Sequence, residues 1–228
     1  MTTAIIITTL NEITGVKKIV PQINKKWAEE IIFVDGGSTD GTIEEAKKMG
    51  FRVVMQKQKG EFAGGHGAAV IEGVNATISD NIILFGPDGN DEPKKIPELI
   101  EKIKEGYDQV LVTRFGKGSV NLDAGIIDTF GNKMFAFLVN VFFGGNWTDT
   151  LNESRIISRK AFNELKYDAM GMSSTQQMSI RGLKRRQKIC EIIGNEGERI
   201  GGKRKMHPLS TGASLSWGII KEFIFWKM

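Results

Sequence analysis

The sequence predicts an α/β fold, a single domain in which a mostly parallel, mixed sheet is flanked by helices. Two observations predict it. Short runs rich in Ile, Val and Phe alternate with helical patterns through the first half of the 228 residues. The apolar share of 40% is enough for one large core, and no low-complexity tract or linker divides residues 1–210. Helical crossovers between successive strands then favour parallel pairing.

The predicted elements follow one another in a regular order. The first strand pattern, TAIIITTL, starts at Thr3, and a helix is expected over residues 15–28. The second, EIIFVD, ends in Asp35. The helix predicted after it, over 41–49, has early glutamates, late lysines and Gly50 as a stop. The later strands are FRVVMQ, NIILFG and DQVLVTR, with helices over 65–77 and 93–105 between them. This gives five strands before residue 115.

The alternation ends after residue 115. Residues 116–128 carry Gly, Asp and Asn and are typical of a loop. The residues after them predict a long apolar helix near 134–147, a short strand near 153–159, helices over 159–166 and 173–186, and a basic segment. The last residues, 211–228, form an amphipathic tail that could face a membrane.

Composition narrows the possible functions. A formal net charge of +4 is too small to indicate nucleic-acid binding. Cys190 is the single cysteine, which excludes an internal disulfide and fits the reducing cytoplasm. The N-terminal residues have no basic segment and run directly into a strand pattern, so no signal peptide is expected. No stretch reaches the roughly 18 to 20 apolar residues that cross a bilayer.

Two stretches rich in Phe and Trp allow two interpretations. They are MFAFLVNVFFGGNW, over 134–147, and LSWGIIKEFIFWKM at the end of the sequence. They could be a buried core helix and a docked terminal helix. They could also lie in the plane of the lipid headgroups, with Trp and Lys at the boundary. The second interpretation predicts a protein bound peripherally to the inner face of the cell membrane.

Two common nucleotide-binding motifs are missing. A Gly-x-Gly-x-x-Gly match that starts at Gly65 meets Val70 where Gly or Ala is needed, and there is no Walker-type Gly-Lys-Ser/Thr run. Polar residues instead follow three strand patterns, and in a parallel sheet these strand ends share one edge. Asp35 could accept from a base or a ribose hydroxyl, and Asp88 could bind a divalent ion that carries a diphosphate.

Eight motifs occur in order over nearly all of residues 4–206: TTLNE, VDGGSTDGT, KGEFAGGHGAAVIEG, PDGNDEPKKIPELI, LVTRF, FGNKMFAFLVNVFFG, TDTLNESR and RIGGKRK. In this order they resemble the motifs of inverting family 2 glycosyltransferases, and most closely those of the dolichyl-phosphate and polyprenyl-phosphate sugar synthases. The resemblance implies a Rossmann-like GT-A domain. It also implies transfer of a hexose, with inversion, from a nucleoside-diphosphate sugar to a polyprenyl phosphate.

The resemblance implies roles on the donor side of the site. Asp88 stands in the position of the last aspartate of the family's Asp-x-Asp motif, where it would ligate Mg²⁺ or Mn²⁺ together with Asn90. Lys59 and Gly60 would lie beside the nucleotide. The residues implied to hold the nucleoside are Thr9, Asn11, Glu12 and Asp35.

The resemblance also implies roles on the acceptor side. Arg114 matches a family arginine that faces the acceptor phosphate, and Asp149 stands where the family places a carboxylate near the sugar. Asp88, Arg114 and Asp149 are therefore the expected catalytic residues. The basic residues implied to close over the diphosphate are Arg199, Lys203 and Lys205.

The sequence departs from the family pattern at four places, one of which is the absence of a second acceptor-side arginine near Asp128. Gly86 replaces the first aspartate of Asp-x-Asp, and Asp91 or Glu92 could replace the lost carboxylate. Asp35-Gly36 stands where the family has Asp-Asp. Residues 152–155, NESR, stand where the lipid-phosphate enzymes commonly have Ser-Gly-Phe-Arg.

Two alternative functions follow from these departures. A lipid phosphate, with a second pKa of about 6, already arrives as an oxyanion, whereas a hydroxyl acceptor on a glycan would need a general base. Asp149 would be the first candidate for that base. A sugar-nucleotide binding protein without catalytic activity is the alternative from another class, because Gly86 removes a carboxylate. The sequence leaves the oligomeric state open.

Overall fold

Strands and helices alternate through the first half of the chain, as the hydrophobic pattern predicts. The computed structural model describes residues 1–57, 65–201 and 208–225. The strands are β1 (Thr3–Thr9), β2 (Glu30–Asp35), β3 (Arg52–Met55), β4 (Asn81–Phe85), β5 (Gln109–Thr113), β6 (Arg155–Ser158) and β7 (Ile189–Ile193). The helices are α1 (Ile13–Ile19), α2 (Thr42–Lys48), α3 (Gly65–Asn75), α4 (Ile96–Lys104), α5 (Ile126–Phe143), α6 (Arg159–Leu165), α7 (Ser174–Lys184) and α8 (Pro208–Ile224).

Within the described residues, the seven strands form one sheet in the order β3-β2-β1-β4-β6-β5-β7. Neighbouring strands are parallel except at β6, which is antiparallel to both β4 and β5. The predicted mostly parallel, mixed sheet is therefore confirmed. Because only β6 runs the other way, β1, β2, β4 and β5 all end at the same edge of the sheet. The residues that follow these strands lie along that edge.

The sheet is buried on both faces because helices cover both. Side chains alternate along β1: Ile5 and Ile7 face the cluster that contains α1 and α4, and Ile6 faces the cluster that contains α3 and α6. A third cluster joins Leu111 of β5 to α5, α7 and α8. The site edge thus rests on a rigid core.

Two predicted helix boundaries differ from the structure, and one strand was not predicted. The helix expected over 15–28 ends at Ile19 and continues as short 3₁₀ turns, because Pro21 lacks an N–H and its ring clashes with an α-helical turn. The long apolar helix begins at Ile126, inside the segment expected to be a loop. Strand β7 was not predicted, because its short ICEII run follows the basic residues at the end of α7.

The C-terminal helix α8 is joined to α7 by a buried ion pair. The Arg181 Nε donates to both carboxylate oxygens of Glu222, at 3.0 and 2.9 Å. Both residues are 1% exposed. The Arg181 guanidinium also pairs with Asp168 at 2.8 Å. The division proposed at residue 210 lies inside α8, which starts at Pro208, and that division stays a prediction.

Helices α5 and α8 together leave an apolar face exposed. By length and composition, α5 could cross a membrane: its 18 residues have a mean hydropathy of 1.3, and it is the one helix in the described part of the chain that qualifies. From the sequence, no apolar stretch long enough to cross a bilayer is expected. This is weak evidence for a span, since core helices of soluble proteins meet the same criterion. The exposed side chains of the apolar face are Ile126, Ile127, Phe130, Phe137, Val141, Phe142, Leu209, Trp217, Ile220, Phe223, Ile224 and Phe225.

Candidate functional site

Asp35 and Asp88 lie on the same edge of the sheet. Asp35 is the last residue of β2 and pairs in register with Thr9 of β1, and Asp88 follows β4 on the other side of β1. Because neighbouring strands are about 5 Å apart, the ends of β2 and β4 are about 10 Å apart. One ligand of the size of a nucleoside diphosphate could therefore contact both residues.

The Asp35 carboxylate organises the turn that follows β2. It is 1% exposed and accepts from the Thr9 hydroxyl at 2.9 Å. The backbone N–H groups of Gly37 and Ser38 donate to its other oxygen at 2.8 and 2.6 Å, and the Ser38 hydroxyl donates at 2.6 Å. Gly37 has a φ of +102°, which favours glycine at this turn. Asp35 thus fixes the shape of the loop that the sequence assigns to the nucleoside.

Asn11 joins the loop after β1 to the same turn. Its side-chain oxygen accepts from the Thr39 N–H at 2.8 Å, and its own N–H donates to the Ser38 hydroxyl at 2.8 Å. Asn11 has a φ of +56°, in the left-handed region that asparagine tolerates better than most residues. Glu12 is buried, and its Oε1 lies 3.4 Å from Arg199. The predicted nucleoside residues Thr9, Asn11, Glu12 and Asp35 are therefore brought together.

Three carboxylates surround Gly86, just beyond the end of β4. A Cβ built on Gly86 would lie 3.5 Å from the Glu153 Oε2, 3.6 Å from the Asp91 Oδ2 and 3.8 Å from the Asp88 Oδ1. We call Asp88, Asp91 and Glu153 the Gly86 cluster. Sequence reasoning considered Asp91 and missed Glu153, whose position opposite Gly86 becomes visible only with the pairing of β4 and β6.

Electrostatics differ within the Gly86 cluster. Burial raises the pKa of Asp88, although Arg199 opposes the shift. Burial, together with the Asp88 and Glu153 carboxylates, raises the pKa of Asp91 well above its ordinary value. Burial would also raise the pKa of Glu153, but the neighbouring His66 outweighs it and lowers that pKa. Ionisation of both Asp88 and Asp91 is therefore disfavoured in this buried group.

The partners of Asp88 come from the segment after β7. The Arg199 Nη2 lies 2.5 Å from the Asp88 Oδ2, and the Ile200 N–H donates to the Asp88 carbonyl at 2.8 Å. The Asn90 N–H donates to the Asp88 Oδ1 at 3.1 Å. The Asn90 side-chain amide donates to the Gly197 carbonyl at 3.0 Å. These contacts hold Arg199 against Asp88.

The predicted metal ligands Asp88 and Asn90 lie on one turn. Their oxygens, and those of Asp91 and Glu153, are the hard ligands that Mg²⁺ and Mn²⁺ prefer. As the side chains stand, the described residues hold no group of three or more His, Cys, Asp or Glu arranged to bind a metal ion. The types of donor nevertheless fit a divalent cation, because three carboxylate oxygens lie within 3.8 Å of the position that a Cβ of Gly86 would take.

Arg114 lies between two carboxylates after β5. Its Nε donates to Asp149 at 2.8 Å and its Nη1 to Glu196 at 2.8 Å. We call these three residues the Arg114 cluster. Burial would lower the pKa of Arg114, but Asp149 and Glu196 outweigh it and raise that pKa. Burial would raise the pKa of Asp149, but Arg114 outweighs it and lowers that pKa.

Asp149 is fully buried beneath Arg114. Its side chain is 0% exposed, and its Oδ1 accepts from the backbone N–H groups of Leu151 and Asn152 at 2.9 and 3.1 Å. The Arg114 side chain keeps 14% of its surface exposed. The contacts of Asp149 are those of a group that orients Arg114. Glu196, which no sequence pattern singles out, shares this task.

Four predicted site residues cannot be placed. Lys59 and Gly60 lie in 58–64, and Lys203 and Lys205 lie in 202–207, both outside the described residues. Arg199, the other predicted diphosphate residue, bridges Glu12 and Asp88. It therefore joins the residues assigned to the nucleoside to those assigned to the metal.

Comparisons with known proteins identify the relatives of this chain. A family model, glycosyl transferase family 2, matches residues 4–166. A dolichyl-phosphate hexose transferase of Haloferax volcanii is 28% identical over 221 residues, covering 96% of this chain and 92% of that protein. A dolichol-phosphate mannosyltransferase of Pyrococcus furiosus is 30% identical over 121 residues, covering 52% of this chain and 34% of that protein.

A solved structure has the same fold. It is glucosyl-3-phosphoglycerate synthase of Mycobacterium tuberculosis in complex with Mn²⁺, UDP and glucosyl-3-phosphoglycerate. The two structures match with a TM-score of 0.78 at 20% identity, over 99% of this chain and 81% of that chain. The predicted family and GT-A fold are confirmed.

Proposed function

The chain belongs to glycosyl transferase family 2 and is a glycosyltransferase, and we propose that it transfers a hexose with inversion from a nucleoside-diphosphate sugar to a polyprenyl phosphate. The observation that carries the proposal is the edge shared by Asp35, Asp88 and Arg114. Transfer needs one position for the nucleoside, one for the departing diphosphate and one for the acceptor phosphate. These three positions must lie next to one another. The dolichyl-phosphate hexose transferase of Haloferax volcanii, similar over nearly its whole length, supports the choice of acceptor.

On the donor side, the nucleoside would bind at Thr9, Asn11, Glu12 and Asp35. Asp88 and Asn90 would hold a divalent cation, and the solved neighbour in complex with Mn²⁺ and UDP supports this role. When bound, the cation would neutralise charge on the diphosphate. Arg199 already lies against Asp88, so that it could contact the same phosphates.

On the acceptor side, Arg114 would bind the phosphate through its exposed surface, while Asp149 and Glu196 fix its orientation. An oxygen of the acceptor phosphate forms the new bond to C1 of the sugar. The bond from C1 to the diphosphate oxygen breaks, and its electron pair leaves with the nucleoside diphosphate. A phosphate oxyanion needs no strong base. The buried Asp149, paired with Arg114, therefore acts as a positioning residue in this proposal.

The apolar face of α5 and α8 supports a peripheral position at the inner face of the cell membrane, where a lipid acceptor would be available. One side of α5 is anchored, since Phe135 and Val139 pack in the third core cluster, and the other side is exposed. Such helices lie in the headgroup plane. An open cavity of about 390 Å³ beside this face combines aromatic and cationic side chains: Phe142, Phe143, Leu183, Lys184, Arg186 and Phe223.

Transfer can be tested by the release of nucleoside diphosphate from UDP-, GDP-, CDP- and dTDP-sugars with Mn²⁺. We expect one donor to be used, polyprenyl phosphate to accelerate its turnover, and Asp88→Asn to slow it by about 100-fold or more. Glu101→Gln, on the exposed side of α4, is the matched control.

Equal turnover in Asp88→Asn would contradict the assigned site. Acceleration by a glycan alcohol rather than by the lipid phosphate would favour a hydroxyl acceptor, and no turnover of any donor would favour a binding protein.

The membrane position has its own test. Phe137→Asn, on the apolar face, should weaken co-sedimentation with vesicles that contain an anionic phospholipid. Ile78→Asn is the matched control, because Ile78 is 92% exposed and lies outside α5 and α8, between α3 and β4. Equal binding of the two variants and the unaltered protein, or no binding at all, would exclude the apolar face as a membrane contact.

A further inference from the structure

We propose that Glu153, two residues before β6, supplies the second carboxylate to the divalent cation held at Asp88, from a position opposite Gly86. This inference rests on the proposed function, because it assigns a residue to the cation that a nucleotide-sugar donor would bring. The two carboxylates at the cation would then be those of Asp88 and Glu153, instead of the two aspartates of an Asp-x-Asp motif.

The first support is the register of β4 and β6. Leu84 pairs with Arg155 in this antiparallel ladder. The same register, continued by two residues, sets Glu153 opposite Gly86. The Glu153 Oε2 accordingly lies 3.5 Å from the position that a Cβ of Gly86 would take. A carboxylate that starts at residue 153 therefore reaches the space that a carboxylate at residue 86 would fill.

The second support is the orientation of the Glu153 side chain. Its Oε1 accepts from the Thr8 hydroxyl at 2.6 Å and lies 3.0 Å from the His66 Nε2. The other ring nitrogen of His66 is hydrogen-bonded to the Ser174 hydroxyl at 2.7 Å. Both neighbours engage the same oxygen, so Oε2 is the one turned towards Gly86. Hydrogen bonds from neighbouring side chains orient the ligands of metal ions in proteins in this way.

The third support is the balance of charge. Three carboxylates meet beside Gly86; Arg199 forms an ion pair with Asp88, and Arg114 and Arg155 act electrostatically on Asp91 and Glu153. Arg199 is shared between Asp88 and Glu12. A buried group of carboxylates with too little positive charge favours the binding of a cation. Oxygen ligands select a hard divalent ion such as Mg²⁺ or Mn²⁺.

The test measures binding of Mn²⁺ and needs no turnover. Free Mn²⁺ is followed by electron paramagnetic resonance as the full chain is titrated in the presence of UDP. Glu153→Gln should weaken Mn²⁺ binding by at least about 10-fold. Adding Gly86→Asp to Glu153→Gln should restore the affinity to within about threefold of the unaltered protein, a difference of less than about 0.7 kcal/mol. A Cβ at residue 86 makes only ordinary van der Waals contacts, so the backbone there accepts a side chain without a clash at its first atom.

The controls separate the possible outcomes. Glu101→Gln should bind Mn²⁺ as the unaltered protein does. Circular dichroism establishes that each variant is folded. If Glu153→Gln does not fold, Glu153→Asp, which is shorter by one methylene, replaces it, and the same loss of Mn²⁺ affinity is expected. Unchanged Mn²⁺ affinity in the Glu153 variant, or no rescue by Gly86→Asp, overturns the inference. Mn²⁺ binding that depends on Glu153 in a protein without transferase activity would overturn the proposed function and leave the cation site standing.

Discussion

The Arg114 cluster and the Gly86 cluster lie along one edge of the sheet and differ in their balance of charge. In the first, one guanidinium lies between two carboxylates, and the pKa of Asp149 is lowered because Arg114 outweighs the effect of burial. In the second, three carboxylates lie together and Arg199 pairs with one of them, Asp88, and burial raises the pKa of Asp88 and, further, of Asp91. In the first cluster, the charged side chains are already paired with one another without a ligand. The second would gain stability from the proposed cation, and removing a carboxylate from each cluster should therefore have opposite effects on stability.

The largest effect is expected for Arg114→Met. Losing the guanidinium leaves Asp149 buried without its cation, so the free energy of unfolding should fall by about 3–5 kcal/mol. Urea denaturation measures the change. Arg199→Met is the matched control in the other cluster and should cost less than half as much, since the Arg199 side chain is about one quarter exposed. Equal costs for the two variants would remove the contrast between the clusters.

Asp149→Asn should cost less, about 2 kcal/mol at pH 7, because the amide keeps the shape and Glu196 still pairs with Arg114. The cost should depend on pH. The folded-state pKa of Asp149 lies below its ordinary 3.8, so its ionised form stabilises the fold fully above that pH. This stability is lost as the pH falls through the lowered pKa. Urea titrations at pH 7, 5 and 3 should show the difference from the unaltered protein shrinking only at the lowest pH; a constant difference would contradict it.

Asp91→Asn should have the smallest effect and the opposite sign. With a chelator present, removing a buried charge beside two other carboxylates should raise the free energy of unfolding by about 1 kcal/mol. Thermal and urea unfolding in EDTA measure it. Glu164→Gln, exposed on α6, is the matched control and should change little. A loss of stability in Asp91→Asn would mean that the Gly86 cluster is already neutralised without a cation.

Much of the fold could be predicted from the sequence, because β-branched strand patterns and helical patterns alternate before residue 115. The carboxyl ends of parallel strands meet by geometry alone, which is how Asp35 and Asp88 could be assigned to one edge. Local patterns did not predict β7, whose five residues follow a basic stretch. They also did not predict the start of α5 at Ile126, because Gly125 and its polar neighbours are typical of a loop.

The partners within the site could not be predicted in the same way. Thr8 and Glu153 are 145 residues apart, and Arg114 and Glu196 are 82 apart. Their contacts depend on the insertion of antiparallel β6 between β4 and β5, and on the path of the chain after β7. No local pattern encodes that order of strands. Residue types could therefore suggest which side chains act, whereas the pairing of distant strands decides which ones meet.

The buried pair of Arg181 and Glu222 has a practical consequence for handling the protein. Cutting the chain before α8 to improve solubility would remove the buried Glu222 partner of Arg181 and uncover the side of α7 against which Leu215 and Ile219 pack. Such a shortened protein would aggregate through a newly opened core. Polar replacements at Trp217 and Phe225, whose side chains are already exposed, would reduce non-specific hydrophobic association and leave the interior intact.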